Sequence, residues 1–181
     1  MSLRIYGNRS IKTLPGQDTR PTLSRVREAL FNIWQGTIDQ CRWLDLCAGS
    51  GSMGAEALCR GAAIVVGIEQ SVRACAIVEQ NWRAIAKPHQ QIQLLRGDVV
   101  KRLQTLNGQT FDRVYFDPPY QSDLYLPVLT TIAQLNLLAP NGELAVEHAP
   151  SVSLPLIPKL KIIREKRYGN TALTFYRRDE G

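Results

Sequence analysis

Arg42-Trp-Leu-Asp-Leu-Cys-Ala-Gly-Ser-Gly-Ser-Met-Gly54 is a short apolar strand that runs directly into a loop of three glycines. Trp43, Leu44 and Leu46 predict a strand over residues 42–47, and a helix over 52–60 closes at Gly61. Ile64-Val-Val-Gly-Ile68 predicts a second buried strand within 62–69, so the stretch folds as one βαβ unit. The alternation continues outward: Ser71 caps a helix that runs to residue 86, and a strand follows over 91–96. Next come a helix over 99–106, a strand over 111–116, a helix over 124–135 and a fifth strand over 143–147. Residues 161–167 and 172–177 form an antiparallel hairpin turned at Gly169-Asn170. Before the first strand, residues 23–34 carry Val26, Leu30, Ile33 and Trp34 at helical spacing, with Thr22 or Ser24 as N-cap. The expected fold is α/β, a doubly wound, mostly parallel seven-stranded sheet with a C-terminal antiparallel hairpin. The one linker-like stretch, residues 10–19, includes Pro15-Gly16.

A chain of 181 residues with 44% hydrophobic content can bury one substantial core. A single domain over 1–181 is expected, with a basic arm and helix over 1–36 and a Rossmann-like core over 41–181. No apolar run approaches the ~20 residues of a spanning helix, and the first ten residues are too polar for a signal peptide, so a cytoplasmic protein is expected. Cys41, Cys47, Cys59 and Cys75 form no Cys-x-x-Cys pair, and His89 and His148 lie far from them; reduced thiols and no metal site are expected. The formal charge of +6 is concentrated at the ends. Residues 1–30 carry six bases against two acids and residues 159–181 seven against three, each a net +4, while residues 31–158 carry nine against eleven. Two basic ends around a near-neutral body suggest surfaces for a polyanion.

Gly49, Ser50, Gly51 and Gly54 lie between a strand and a helix, and Glu69 follows Gly49 by twenty residues. That pattern fits the dinucleotide fingerprint, in which glycines admit a ligand and the distal acid holds ribose hydroxyls. Asp45 separates the ligands. A carboxylate just ahead of the glycine loop repels a pyrophosphate and suits the ammonium of S-adenosylmethionine, which carries a sulfonium and no phosphate. Asp98, in Arg-Gly-Asp-Val after the third strand, is placed to reach an adenine amino group, and the same acid is a good N-cap.

The strand over 111–116 ends in Asp117-Pro118-Pro119-Tyr120. Two prolines cannot continue a ladder, so they fix a rigid shelf that presents an acid and a ring. An exocyclic base amine is a poor nucleophile because its lone pair is delocalised into the ring. The Asp117 carboxylate and the Pro118 carbonyl are acceptors that would draw such an amine toward tetrahedral geometry, while Tyr120 stacks on the base. A base must leave its stack to reach such a pocket. Three readings follow: an RNA amino-methyltransferase, a DNA adenine or cytosine amino-methyltransferase, and a dinucleotide-dependent oxidoreductase or non-catalytic nucleotide-binding module. The second usually needs a recognition domain for which there is no room, and Asp45 and the shelf argue against the third.

Arg20-Pro-Thr-Leu-Ser-Arg-Val-Arg-Glu-Ala-Leu-Phe-Asn32, the glycine loop with its helix through Ala62, and Asp117-Pro-Pro-Tyr120 together resemble the RsmD-type bacterial small-subunit (16S) ribosomal RNA guanine-N2 methyltransferases. The resemblance spans nearly the whole chain. It implies a class I, Rossmann-like enzyme that transfers a methyl group from S-adenosylmethionine to guanine N2, leaving S-adenosylhomocysteine and using no metal. Carried over, Asp45, Gly49, Gly51 and Glu69 would hold the cofactor, with Thr22 beside its methionine end. Family arms are richer in glycine; here only Gly7 and Gly16 remain. The implied partner is small-subunit ribosomal RNA, naked or in an assembled subunit, met by a monomer. Arg9, Lys12, Arg25, Lys166 and Arg167 are the expected phosphate contacts.

Overall fold

The computed structural model describes residues 2–15 and 21–179, with backbone alone for residues 21–23. Five parallel strands form the centre of one sheet: β3 (Arg42–Leu46), β4 (Ile64–Glu69), β5 (Gln91–Arg96), β6 (Phe111–Phe116) and β7 (Leu138–His148). A hairpin of β8 (Leu160–Tyr168) and β9 (Thr171–Arg178) extends it, with β9 antiparallel to β7. The strand order is β5-β4-β3-β6-β7-β9-β8, so the direction of winding reverses between β3 and β6. Helices α1 (Pro21–Ile33), α2 (Ser52–Cys59) and α3 (Val72–Ile85) cover one face, and α4 (Val99–Gln104) and α5 (Tyr125–Gln134) the other. The doubly wound, seven-stranded expectation is therefore met.

Strand periodicity assigns the two layers. Trp43, Val65, Tyr115 and Ala145 face α1–α3, while Leu44, Leu46, Val66, Val114 and Phe116 face α4 and α5. On the first face the Phe31 ring stacks on Trp43 at 5.2 Å, and Trp34 meets Trp43 edge-on at 5.6 Å. The buried Trp34 Nε1–H donates to Glu143 at 2.8 Å, which ties α1 to β7.

Three elements depart from the sequence expectation. Ser2–Ile5 and Arg9–Lys12 form an antiparallel hairpin, β1 and β2, so Ser10 lies in a strand rather than in a linker. Gly7 and Asn8 turn it with φ of 72° and 59°, the left-handed conformation that tight hairpin turns require. Helix α1 begins at Pro21, so Thr22 and Ser24 fall within its first turn instead of capping it. Proline suits that position because its φ is already helical and its missing N–H would lack a helical acceptor there. Strand β7 begins at Leu138 rather than 143: Phe111 pairs with Leu138 and Arg113 with Glu143, and the Pro140-Asn141-Gly142 turn bulges out between them.

Candidate active site

The register of the sheet builds the site. Asp45 is level with Gly67 and Tyr115, and Leu46 is level with Ile68 and Phe116, which in turn pairs with Val146. One residue further on, Cys47, Glu69, Asp117 and Glu147 emerge at the carboxyl ends of four neighbouring strands. Period-two alternation places Glu69, Asp117 and Glu147 on the face of Asp45 and Tyr115, while Cys47, past the end of β3 with φ of 60°, packs partly against the other layer. They line a cavity of about 580 Å³ at the switch point between β3 and β6, where open α/β sheets bind ligands. Among the described residues five acids, Asp45, Glu69, Asp98, Asp117 and Glu147, face it, and the one basic lining residue is Arg27. Arg27 is committed elsewhere: its guanidinium lies 2.6 Å from Glu56 and donates to the Arg4 carbonyl at 2.8 Å.

Asp45 is 1% exposed and accepts the Gly54 N–H at 3.1 Å. Burial, reinforced by the charge of Glu69 and opposed by that N–H, pushes its carboxyl up to about 8. Glu69 accepts the N–H groups of Gly49 and Ser71, each at 2.8 Å, so it fixes both the glycine loop and the start of α3. Gly49 and Ser50 line the cavity, but Gly51 and Gly54 are not part of its lining. They make room for Trp82 of α3, whose Nε1–H donates to the Gly51 carbonyl at 2.8 Å. A Cβ on Gly51 would sit 2.7 Å from that nitrogen, and one on Gly54 would collide with the ring. Close helix packing, rather than direct lining, requires glycine at these two positions. Asp98 accepts the Lys101 N–H at 2.9 Å as the N-cap of α4, and it also lines the cavity. The side chain of Thr22 lies outside the described residues. Cys47 lines the cavity, but burial and the charge of Glu69, Asp117 and its neighbours push its thiol up to about 12, leaving it un-ionised at neutral pH.

Asp117 and Pro118 lie at the foot of the shelf, while Pro119 and Tyr120 are exposed. The Tyr120 hydroxyl is 3.2 Å from Thr171 Oγ1, which anchors the ring to the start of β9. Burial, then the charges of Glu147 and Asp45, push Asp117 well above the usual carboxylate range. Glu147 is 2% exposed, and burial raises it too, against the hydrogen bond it accepts from the Tyr115 hydroxyl. Sequence reading missed Glu147. Its signal was parity with Ala145 on a strand that ends beside the Asp-Pro-Pro-Tyr shelf. Among the described residues, no group of three or more His, Cys, Asp or Glu is arranged to hold a metal ion.

The arm reaches this cavity as well, because Leu3, Thr13 and Ser24 line it. Asn81 of α3, 3% exposed, joins the arm to the glycine loop: its Oδ1 accepts the Lys12 N–H at 2.9 Å. Its Nδ2 donates to the Lys12 carbonyl at 2.8 Å and the Ser50 carbonyl at 2.9 Å. Of the expected phosphate contacts, Arg9, Lys12, Arg25, Lys166 and Arg167 are all exposed. Arg9 also donates to the Ile85 carbonyl at 3.2 Å, and Arg167 lies 3.3 Å from Glu165.

The family model described as Conserved hypothetical protein 95 matches residues 3–177. Ribosomal RNA small subunit methyltransferase D of Haemophilus influenzae (strain ATCC 51907 / DSM 11121 / KW20 / Rd) is 30% identical over 173 residues, covering 95% of this chain and 90% of that one. The Escherichia coli (strain K12) protein of the same name is 30% identical over 182 residues, covering 98% and 90%. Among solved structures, yhhF from Escherichia coli superposes with a TM-score of 0.87 at 28% identity over the full length of both chains. Matched to that family over almost its entire length, the chain belongs to the Conserved hypothetical protein 95 family, the RsmD-type methyltransferases.

Proposed function

We propose that this protein, acting as a monomer and a single domain in the cytoplasm, methylates the exocyclic N2 amine of a guanine in small-subunit ribosomal RNA, with S-adenosylmethionine as methyl donor. The observation that carries the reading is the union of an acid-lined cavity at the switch point with the Asp117-Pro118-Pro119-Tyr120 shelf at its edge. Among the described residues, five carboxyl groups against one neutralised arginine suit a ligand with cationic groups and no phosphate, and about 580 Å³ is the size of a small-molecule site. When bound, the cofactor supplies an electrophilic methyl group on a sulfonium centre. Asp45 would take the ammonium and Glu69 the ribose hydroxyls, using the lone pairs that the Gly49 and Ser71 N–H groups leave free. Gly49 and Ser50 form the loop wall, Asp98 reaches the adenine end, and Thr22 and the packing glycines Gly51 and Gly54 complete the assignment.

The residues of the shelf prepare the amine. The Pro118 carbonyl takes no hydrogen bond from the described residues, so it and a carboxyl oxygen of Asp117 are two acceptors held by consecutive rigid residues. Both accept from the N2 hydrogens, which localises the nitrogen lone pair, and the exposed ring of Tyr120 holds the extruded base. The relatives named as small-subunit ribosomal RNA methyltransferases match over nine-tenths of this chain, which favours RNA over DNA as the polymer.

The test maps N2-methylguanosine in small-subunit RNA by mass spectrometry, with and without the gene. One guanine should lose its methyl group in the deletion strain and regain it when purified protein and labelled S-adenosylmethionine are added. An unchanged map would reject the reading. Thermal shift with S-adenosylmethionine against NAD separates the dinucleotide alternative, because only the former should stabilise the protein.

A further inference from the structure

Glu147 is the acid of the cavity for which the proposed chemistry has no use. It lies beside Asp117 near the end of the neighbouring strand, since Phe116 pairs with Val146 and each acid is the next residue along its chain. Adjacent strands are about 4.8 Å apart, so the two side chains start from neighbouring positions and can converge on adjacent donors of one base edge. The Tyr115 hydroxyl donates to one oxygen of Glu147 and fixes the side chain as an acceptor. The other oxygen takes no hydrogen bond from the described residues, and no cation among them pairs with the group. A buried carboxylate held in one orientation, facing the cavity with one oxygen free, is suited to a ligand N–H.

Base chemistry then decides between substrates. The N6 amine of adenine and the N4 amine of cytosine each neighbour a ring nitrogen that is an acceptor. The N2 amine of guanine neighbours N1, which carries a hydrogen. An anionic acceptor beside the amine-binding acid repels the first two edges and completes the third. Resting on the guanine-N2 reading, we propose that Glu147 selects the base: its free carboxylate oxygen accepts the N1–H of guanine while Asp117 accepts a hydrogen of the adjacent amine. Tyr115 acts through Glu147 as a positioning residue. The Tyr115–Glu147 pair is thus a specificity element, and the shelf alone is indifferent among amino bases.

The test uses small-subunit RNA ligated to carry either guanine or 2-aminopurine at the nucleotide found by methyl mapping. 2-Aminopurine keeps the reacting amine and lacks the hydrogen on N1. Wild-type protein should prefer guanine by at least about 100-fold in kcat/KM, as expected where a buried acceptor meets an unmatched edge. Glu147→Gln presents an amide N–H to the base, so it should slow guanine, quicken 2-aminopurine and narrow that ratio by about tenfold or more. Tyr115→Phe, which keeps the ring and frees the carboxylate to turn, should narrow it in the same direction. If wild type accepts both RNAs equally, or if both variants keep the wild-type ratio, Glu147 does not read the base and this inference falls while guanine-N2 methylation stands. If wild type methylates neither RNA, the function itself is wrong, and the inference fails with it.

Discussion

The site's chemistry depends on single carboxyl groups that differ in surroundings. On the proposed chemistry Asp117→Ala would remove an acceptor for the amine during transfer, so methyl transfer should fall by at least about 100-fold. Cofactor affinity should hardly change, as single-turnover rates and calorimetry on the same variant would establish. Asp45 carries a separate, pH-dependent signature. Its carboxyl stands near 3.8 in the unfolded chain and about 8 in the fold, so the folded state binds more protons between those values. The stability it contributes is full below pH 4 and is lost as pH rises through 8. Asp45→Asn should therefore flatten the decline in ligand-free stability between pH 5 and 8, measured by urea denaturation. In wild type, an ammonium placed beside Asp45 favours the ionised form, so binding S-adenosylmethionine at pH 6.5 should release close to one proton. Calorimetry in two buffers of different ionisation enthalpy measures that release; it should vanish in Asp45→Asn and fade above pH 8. Equal proton counts in the two proteins would remove Asp45 from the ammonium site.

At the scale of elements, the glycine loop is held from behind by α3 more than by its own sequence. Trp82 fills the space that Gly51 and Gly54 leave, and Asn81 binds the loop at Ser50 and the arm at Lys12 through three hydrogen bonds. Asn81→Ala should cost about 1–3 kcal/mol, because it strands buried backbone groups at Lys12 and Ser50. Hydrogen exchange should then quicken at Lys12, whose N–H loses its acceptor, and cofactor affinity should fall with it. Unchanged exchange there would mean that arm and loop are not coupled. The central strands were legible in sequence because parallel strands buried on both faces read as apolar runs; Asp45 was legible as an acid interrupting such a run, and Glu69 and Asp117 as acids at the ends of theirs. The arm hairpin was not, since four-residue strands carry too little alternation; Gly7-Asn8 was its one turn signal. Glu147 was overlooked because its partners, Tyr115 and Asp117, come from another strand, and only register brings them together. Gly51 and Gly54 were credited to the ligand because a motif records that glycine is needed, not which neighbour needs it.

Across the whole molecule, five acids gather in the cavity and part of the basic charge stands beside it. The basic ends carry less free charge than their composition suggests: Arg27 is buried against Glu56, and Arg177 is paired with Glu143. Part of what remains exposed lies near the mouth, whereas the exposed Lys159 and Lys161 lie at the far end of the hairpin. Glu147 pairs with Leu173, which pairs with Lys166, so Lys166 stands level with the active-site row, two strands and roughly 10 Å away. On the other side, β2 carries Arg9 and Lys12 and is followed by Thr13 on the cavity wall. A phosphate backbone laid across these two edges would leave one base over Tyr120 and the acid row, where negative charge keeps phosphates out and admits a flipped base. The ion pair of Arg167 with Glu165 does not oppose this, because an exposed pair is worth little and a phosphate competes for the same guanidinium. Binding of wild-type protein to small-subunit RNA should thus weaken steeply with salt. Removing one cation that neutralises a phosphate should shallow the log–log slope by roughly 0.7–0.9, so Arg9→Ala/Lys12→Ala and Lys166→Ala/Arg167→Ala should each shallow it by about 1.4–1.8. Cofactor affinity should stay constant in both variants, which separates a weakened RNA surface from damage to the cavity. A wild-type slope in either pair would show that edge to be a solvated face and place the RNA path on the other.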